Sequence, residues 1–318
     1  MKELPNPMFP ISQLGGRASF WRAAEPAAAR QPAIAPVKRV PMVQIVPIPQ
    51  IPQLAVAPQS APIVPPVVLA PVAAGATPGI SVSWARHQDD VRAAQRLRYE
   101  VFAGEMGARL TTPLAGHDID LFDDFCEHLL VRDAATREVV GTYRVLTPAQ
   151  AKRVGSTYSD TEFDLTRLRG IRSRMVELGR SCVHPDYRHG GVIMALWGAL
   201  AEFMLRNQLD TMIGCASIPM LHNGVVSGDV AASIWRKVQA THMAPIDFHV
   251  RPRLPLPIER LDATLDVEPP ALIKGYLRLG AKVLGAPAWD PDFNTADLPM
   301  LMRIADLPAR YRKHFLGA

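Results

Sequence analysis

Glu177 and Arg180 stand three residues apart in MVELGRSCV (175–183), a run that reads as a strand. A carboxylate set among apolar neighbours is partly desolvated, and desolvation raises its proton affinity. Such a group suits proton abstraction from an amine, because an α-amino group is partly protonated near neutral pH and must be neutral to attack. Just downstream, V183-H-P-D-Y-R188-H-G190-G191 turns into an apolar helix. A helix start points unpaired N–H groups into the turn. Glycines allow close approach to the backbone, and an arginine adds a permanent planar cation. Arg188, His189, Gly190 and Gly191 thus form a candidate phosphate site. Backbone N–H groups near Cys182 and Val183 are candidate donors to a developing oxyanion.

In a flat strand Glu177, Gly179 and Ser181 share one face, and Leu178, Arg180 and Cys182 the other. One bulge near Gly179 brings Glu177 and Arg180 together, and that bulge is the prediction. Flat alternation puts Cys182 opposite Glu177, so Cys182 reads as a buried structural cysteine and the amine attacks directly.

Four further residue groups have candidate roles. Arg144 lies on a strand face with Val140, Thr142 and Leu146 and needs an anionic or carbonyl partner there. Arg98, Phe102 and Glu105 recur at helical spacing and share a face. Asp118, Asp120, Asp123 and Asp124 sit in GHDIDLFDD, where they either meet a substrate ammonium or form a solvated loop. Tyr143, Tyr187 and Tyr276 are the candidate acids for a leaving thiol. His128, His184, His189 and His222 have no metal-ligand spacing, so no metal is expected.

The elements that must position these groups follow from periodicity. SVSWARH begins as a strand, and 89–106 reads as a helix opened by acidic residues. HLLVRD and VVGTYRVL form a hairpin. A short helix is expected over 160–169. The strand 175–183, the helix 191–207 and the strand 211–218 follow, then a helix over 228–239. PPALIKGYLRLGA and WDPDFNTADLPMLMRIADL close the chain. The pattern predicts a layered α/β (α+β) fold on a mixed, mostly antiparallel twisted sheet flanked by helices.

Residues 1–80 differ from the rest. They hold 16 of the 30 prolines and six Lys/Arg against two Glu. Proline at that density excludes a regular helix, and the apolar stretches are too interrupted to span a bilayer. The expectation is a disordered Pro-rich leader over 1–80, with peripheral membrane contact as its sharper alternative, and a catalytic domain over 81–318. The remainder carries 29 Lys/Arg and 28 Asp/Glu, so a nucleic-acid surface is not expected. Three cysteines without framework spacing point to a reducing, cytoplasmic compartment.

V-x-P-x-x-R-x-G-G resembles the acyl-donor motif of the GNAT superfamily of N-acyltransferases, with His189 in place of its first glycine. R98-x3-F102, D120-x2-D123, G-T-Y-R144 and E177-x2-R180 occur in the order found in acyl-homoserine-lactone synthases, which are GNAT relatives. Their tryptophan after the phenylalanine is absent here. ELGRSCVHPDYR, GVIMALWGAL, GCASIP, LIKGYLRLGA and D290-P-D-F293-N-T-A-D297 resemble the L-ornithine Nα-acyltransferases of bacterial ornithine-lipid synthesis over about 82–305.

That resemblance implies a GNAT-like fold and transfer of a 3-hydroxyacyl group from acyl carrier protein to the α-amine of L-ornithine, giving lyso-ornithine lipid. The donor would be a phosphopantetheine thioester with no tightly bound cofactor. Glu177 and Arg180 would be catalytic, and Arg98, Phe102, Asp120, Asp123 and Arg144 would bind substrate. Arginines 167, 169, 172, 174 and 188 would offer acyl carrier protein, which is acidic, a basic surface. The alternatives are another acceptor amino acid, acyl-CoA as donor, or a non-catalytic acyl-carrier or lipid-binding module.

Overall fold

A computed structural model describes residues 79–222 and 224–316. The Pro-rich leader expected over 1–80 therefore lies almost wholly outside the described residues.

Strand β1 (Ile80–Trp84) leads into helix α1 (Gln88–Tyr99), whose first turn carries Asp89 and Asp90 and whose last turn carries Arg96 and Arg98. Each charge faces the opposite end of the helix dipole. The Asp90 carboxylate also accepts the N–H of Arg86 at 3.0 Å, tying down the entry to the helix. The helix predicted over 89–106 does not continue regularly. Glu100–Glu105 form a π-helical turn, with the Met106 N–H donating to the Val101 carbonyl at 3.1 Å. The wider turn breaks the regular helix face: Phe102 is buried while Glu105 stays exposed beside Arg188.

The predicted hairpin is β2 (Glu127–Asp133) and β3 (Val139–Leu146). Then come α2 (Pro148–Val154), α3 (Ser159–Glu162) and β4 (Phe163–Asp164). The helix expected over 160–169 is thus broken. It is one turn of α-helix, a two-residue strand, and a 3-10 segment at Thr166–Arg174. Phe163 and Leu165 enter the core there, which a continuous helix would prevent.

Next come β5 (Met175–Val183), α4 (Gly191–Arg206) and β6 (Thr211–Pro219). Short strands β7 (Leu221–His222) and β8 (Val225–Val226) precede α5 (Asp229–His242) and β9 (Arg251–Pro252). The chain closes with α6 (Ala271–Arg278), β10 (Lys282–Val283), β11 (Ala288–Asp290), β12 (Thr295–Arg303) and α7 (Ala309–Leu316).

The main sheet runs β1-β2-β3-β5-β6-β12-β10, with β11 on β12. Every pair is antiparallel except β5 with β6. Helix α4 buries Val192, Leu196, Leu200, Phe203 and Met204 against Leu129, Val131, Tyr143, Val145 and Val176 on one face. That apolar stripe fixes where α4 begins. Residues of α5 and α6 cover β6 and β12 through Ile234, Trp235 and Ile273.

The decisive feature is how briefly β5 and β6 pair. Met175–Glu177 lie beside Thr211–Ile213, and then the strands part. Gly214 sits at the divergence, where a Cβ would come within 2.4 Å of the Leu178 carbonyl oxygen.

Candidate active site

The splay opens a slot through the sheet, a cavity of about 590 Å³. Strand register decides what lines each side, because residues directly opposite one another point to the same face. Glu177 is opposite Ile213, Ser217 is opposite Asp297, and Thr295 is opposite Asp290. Glu177, Asp297 and Asp290 therefore share one face. The other mouth is mostly apolar, with Ile193, Trp197, Leu272 and Tyr276 from α4 and α6.

The predicted bulge exists. Thr142 is opposite Cys182 and Arg144 opposite Gly179, so Arg180 and Ser181 together span the single residue Tyr143, and Arg180 turns to the Arg144 and Glu177 face, where it meets Asp120 and the Tyr158 ring. The left-handed residue is Arg180, with φ of 50°, and not Gly179. A side chain at positive φ costs about 1–2 kcal/mol, and such strain gathers at functional sites. Past the bulge, Cys182 shares the face of Thr142, Arg144 and Glu177. The expectation that Cys182 lies opposite Glu177 is thereby corrected, because the extra residue inverts the alternation. Cys182 packs among Leu97, Val101 and Phe102, and burial pushes its thiol up to about 12.

Glu177 is 6% exposed and makes no ion pair among the described residues. Its oxygens accept the N–H of Ser159 at 2.6 Å and of Tyr158 at 2.7 Å. Burial raises its carboxyl above the ordinary range even though these donors and Arg144 oppose the shift.

Three arginines and three aspartates interlock beside it. Arg98, wholly buried, donates to Asp118 at 2.8 Å and grips both oxygens of Asp123 at 2.8 and 2.9 Å. Arg144 reaches Asp120 at 2.6 Å and Asp123 at 3.3 Å. Arg180 reaches Asp118 at 3.2 Å and Asp120 at 3.1 Å, while stacking between the rings of Tyr158 and Phe293. Burial would raise Asp123, but Arg98 and Arg144 hold it well below the usual carboxylate range. Asp120 is likewise held down, against burial, by Arg144 and Arg180. These findings correct one expectation. Asp118, Asp120 and Asp123 do not form a solvated loop; they are counter-charges that set the arginines.

Phe102 lines the cavity and meets Phe293 edge-on at 5.6 Å. Val183, Arg188 and Gly190 line it too, and Gly190 caps α4 with φ of 102°. His189 and Gly191 belong to the same turn but do not line the cavity. The Arg188 side chain bonds the Val183 carbonyl and pairs with Glu105 at 2.9 Å. Arg172 and Arg174 pair with Asp160 and Asp210. Of the candidate tyrosines, Tyr187 donates to Asp133 at 2.9 Å, and the hydroxyls of Tyr143 and Tyr276 meet each other beside the slot.

Sequence reasoning left Tyr158, Asp290, Phe293 and Asp297 without roles, yet all four line the cavity. The signal for Asp297 was the one that found Glu177: a lone carboxylate in an apolar strand, here TADLPMLM.

The acetyltransferase (GNAT) domain family matches residues 97–198. An L-ornithine N(alpha)-acyltransferase of Rhodobacter capsulatus is 37% identical over 250 residues, covering 73% of this chain and 92% of that protein. One from Agrobacterium fabrum is 33% identical over 255 residues, covering 73% and 84%. The chain belongs to the L-ornithine Nα-acyltransferase family. This family member is an acyltransferase with a GNAT-type fold. Among solved structures, the AHL synthase LasI is 13% identical, covering 75% of this chain and 94% of that one at a TM-score of 0.44. No helix among the described residues of this acyltransferase is long and apolar enough to cross a membrane.

Proposed function

We propose that this acyltransferase moves a 3-hydroxyacyl group from the phosphopantetheine thioester of acyl carrier protein to the α-amine of L-ornithine, yielding lyso-ornithine lipid. One observation carries the reading: a buried carboxylate of raised proton affinity stands where β5 and β6 part, in a chain of this family.

In this mechanism the thioester arm enters the slot between β5 and β6. The acyl chain takes the apolar mouth beside Ile193, Trp197 and Leu272, and ornithine takes the carboxylate face. Beyond Glu177 the edge of β5 that faces β6 has no strand partner, so backbone N–H groups on that edge can meet the arm and the carbonyl oxygen. Preorganised donors of that kind contribute on the order of 3 kcal/mol. The α-amine attacks the thioester carbon, Glu177 accepts its proton, and the thiolate leaves. The turn at Arg188 and Gly190 meets the phosphate of the arm, with Arg188 exchanging Glu105 for it. Arg180, fixed between two rings, faces the acceptor carboxylate. The buried thiol of Cys182 has little thiolate character, which favours direct attack over a covalent intermediate. Cytoplasmic location with peripheral membrane contact fits an enzyme that takes a water-soluble carrier and releases an amphiphile.

The test is mass spectrometry of products from the purified full chain, given 3-hydroxyacyl carrier protein or the matching acyl-CoA and a panel of amino acids. N-acylornithine formed from the carrier protein, and lost in Glu177→Gln, is the expected result. Thioester that stays intact with every acceptor would leave only a carrier-binding module.

A further inference from the structure

The slot holds negative charge that the fold does not neutralise. Asp297 and Asp290, 3% and 6% exposed, both line it. By strand register they share a face with Glu177. Neither forms an ion pair among the described residues, in contrast to the closed arginine–aspartate lattice nearby. Their donors are neutral. The Thr295 hydroxyl bonds Asp297 at 2.8 Å, the Tyr158 hydroxyl bonds Asp290 at 3.1 Å, and the N–H groups of Asp292 and Phe293 each bond Asp290 at 2.9 Å. Arg180, the cation beside them, already gives Nε to Asp118 and one Nη to Asp120.

The effect of that charge is visible in the groups themselves. Burial and then Asp290 push the Asp297 carboxyl up to about 6. Burial, then Asp290 and Asp297, push neighbouring Glu162 up to about 7. Buried carboxylates left without a cation cost stability, so they persist where an arriving cation uses them. Among the described residues no group of three or more His, Cys, Asp and Glu is placed to hold a metal ion, and the ornithine for which the relatives are named carries an organic side-chain ammonium.

Tyr158 sets the spacing. Its N–H donates to Glu177 and its hydroxyl to Asp290, so the two carboxylates stand one tyrosine apart. We propose that Asp290 and Asp297 are the subsite for a second, side-chain ammonium of the acceptor, selecting a diamino acid over a neutral amino acid of equal length. The inference rests on the slot being the acceptor site. With the α-amine at Glu177, the far ammonium lies between the two aspartates and completes their charge.

The experiment compares L-ornithine with L-norvaline, which has the same carbon chain and no terminal amine. Calorimetric binding to the full chain reads the subsite, and acyl transfer from acyl carrier protein reads the activity. The wild type should bind ornithine about tenfold or more tightly than norvaline, and Asp297→Asn should remove most of that preference by weakening ornithine alone. Asp290→Asn is the second variant, with circular dichroism as the check on folding of both. Equal binding of the two amino acids by the wild type, binding of neither, or an equal loss of both in folded variants overturns the subsite. Selective binding without acyl transfer would overturn the proposed activity and leave the subsite standing. Transfer to both amino acids at one rate would do the reverse.

Discussion

The N–H of Ser159 donates to Glu177 at 2.6 Å, so the strand carboxylate holds the first turn of α3 in place. Proton acceptor and helix anchor are one group. Glu177→Gln keeps the shape but removes the negative charge and turns an N–H donor toward one backbone N–H. The transfer rate should fall by about 10²–10⁴, with a stability loss of about 1–3 kcal/mol. Single-turnover kinetics beside a urea melt separate the two effects. A rate held near wild type would remove the base role.

Cys182→Ala should leave the transfer rate within about twofold, because direct attack needs no thiolate. The methyl fits the pocket of Leu97, Val101 and Phe102 at a cost of about 1 kcal/mol. Intact-protein mass spectrometry during turnover should show no acyl adduct on the wild type.

Asp123→Asn leaves Arg98 and Arg144 without a shared counter-charge and should destabilise the fold by about 3–5 kcal/mol. The folded-state carboxyl of Asp123 is depressed. Its contribution is therefore present above the unfolded carboxylate range and is lost as the pH falls below about 4. Urea melts from pH 7 to pH 3 should show the wild type approaching the variant at the acid end.

Asp297→Asn should act with the opposite sign. The carboxyl is raised from 3.8 to about 6 in the fold. It favours the folded state below the lower value, and that contribution is lost as the pH rises through the upper one. Relative to wild type, the variant should gain up to about 3 kcal/mol at pH 8 and nothing at pH 4. Calorimetric melts at the two pH values check this. A variant more stable and less selective is the expected trade at a functional site.

Gly214→Ala should be poorly tolerated. The added methyl meets a backbone carbonyl, that of Leu178, at 2.4 Å and has no side chain to displace. Overpacking of this kind costs about 1–3 kcal/mol. Because Gly214 sits where the strands part, the KM for the acyl donor should rise as well, read from initial rates with acyl carrier protein varied.

Much of this enzyme was legible from residue order. The strand Met175–Val183 was predicted to the residue, and α4 ended one residue short of its predicted end. Local patterns decide these elements: alternation, an apolar stripe, acidic first turns. The bulge was legible too, since Glu177 and Arg180 can share a face only if the strand departs from alternation. The break within 160–169 was not, because burial of Phe163 and Leu165 against distant strands overrode local helix preference.

The sequence by itself determined the family, the strand that carries Glu177 and the turn that opens α4. Only the tertiary structure decided which carboxylates have partners. Asp118, Asp120 and Asp123 lie close together in the chain with no cation between them, yet three arginines from α1, β3 and β5 close on them. Asp290 and Asp297, more than a hundred residues from Glu177, end on its face of the slot with no ion pair among the described residues. Charge pairing acts through space over a few ångströms, and chain order does not encode those distances until the sheet has set its register.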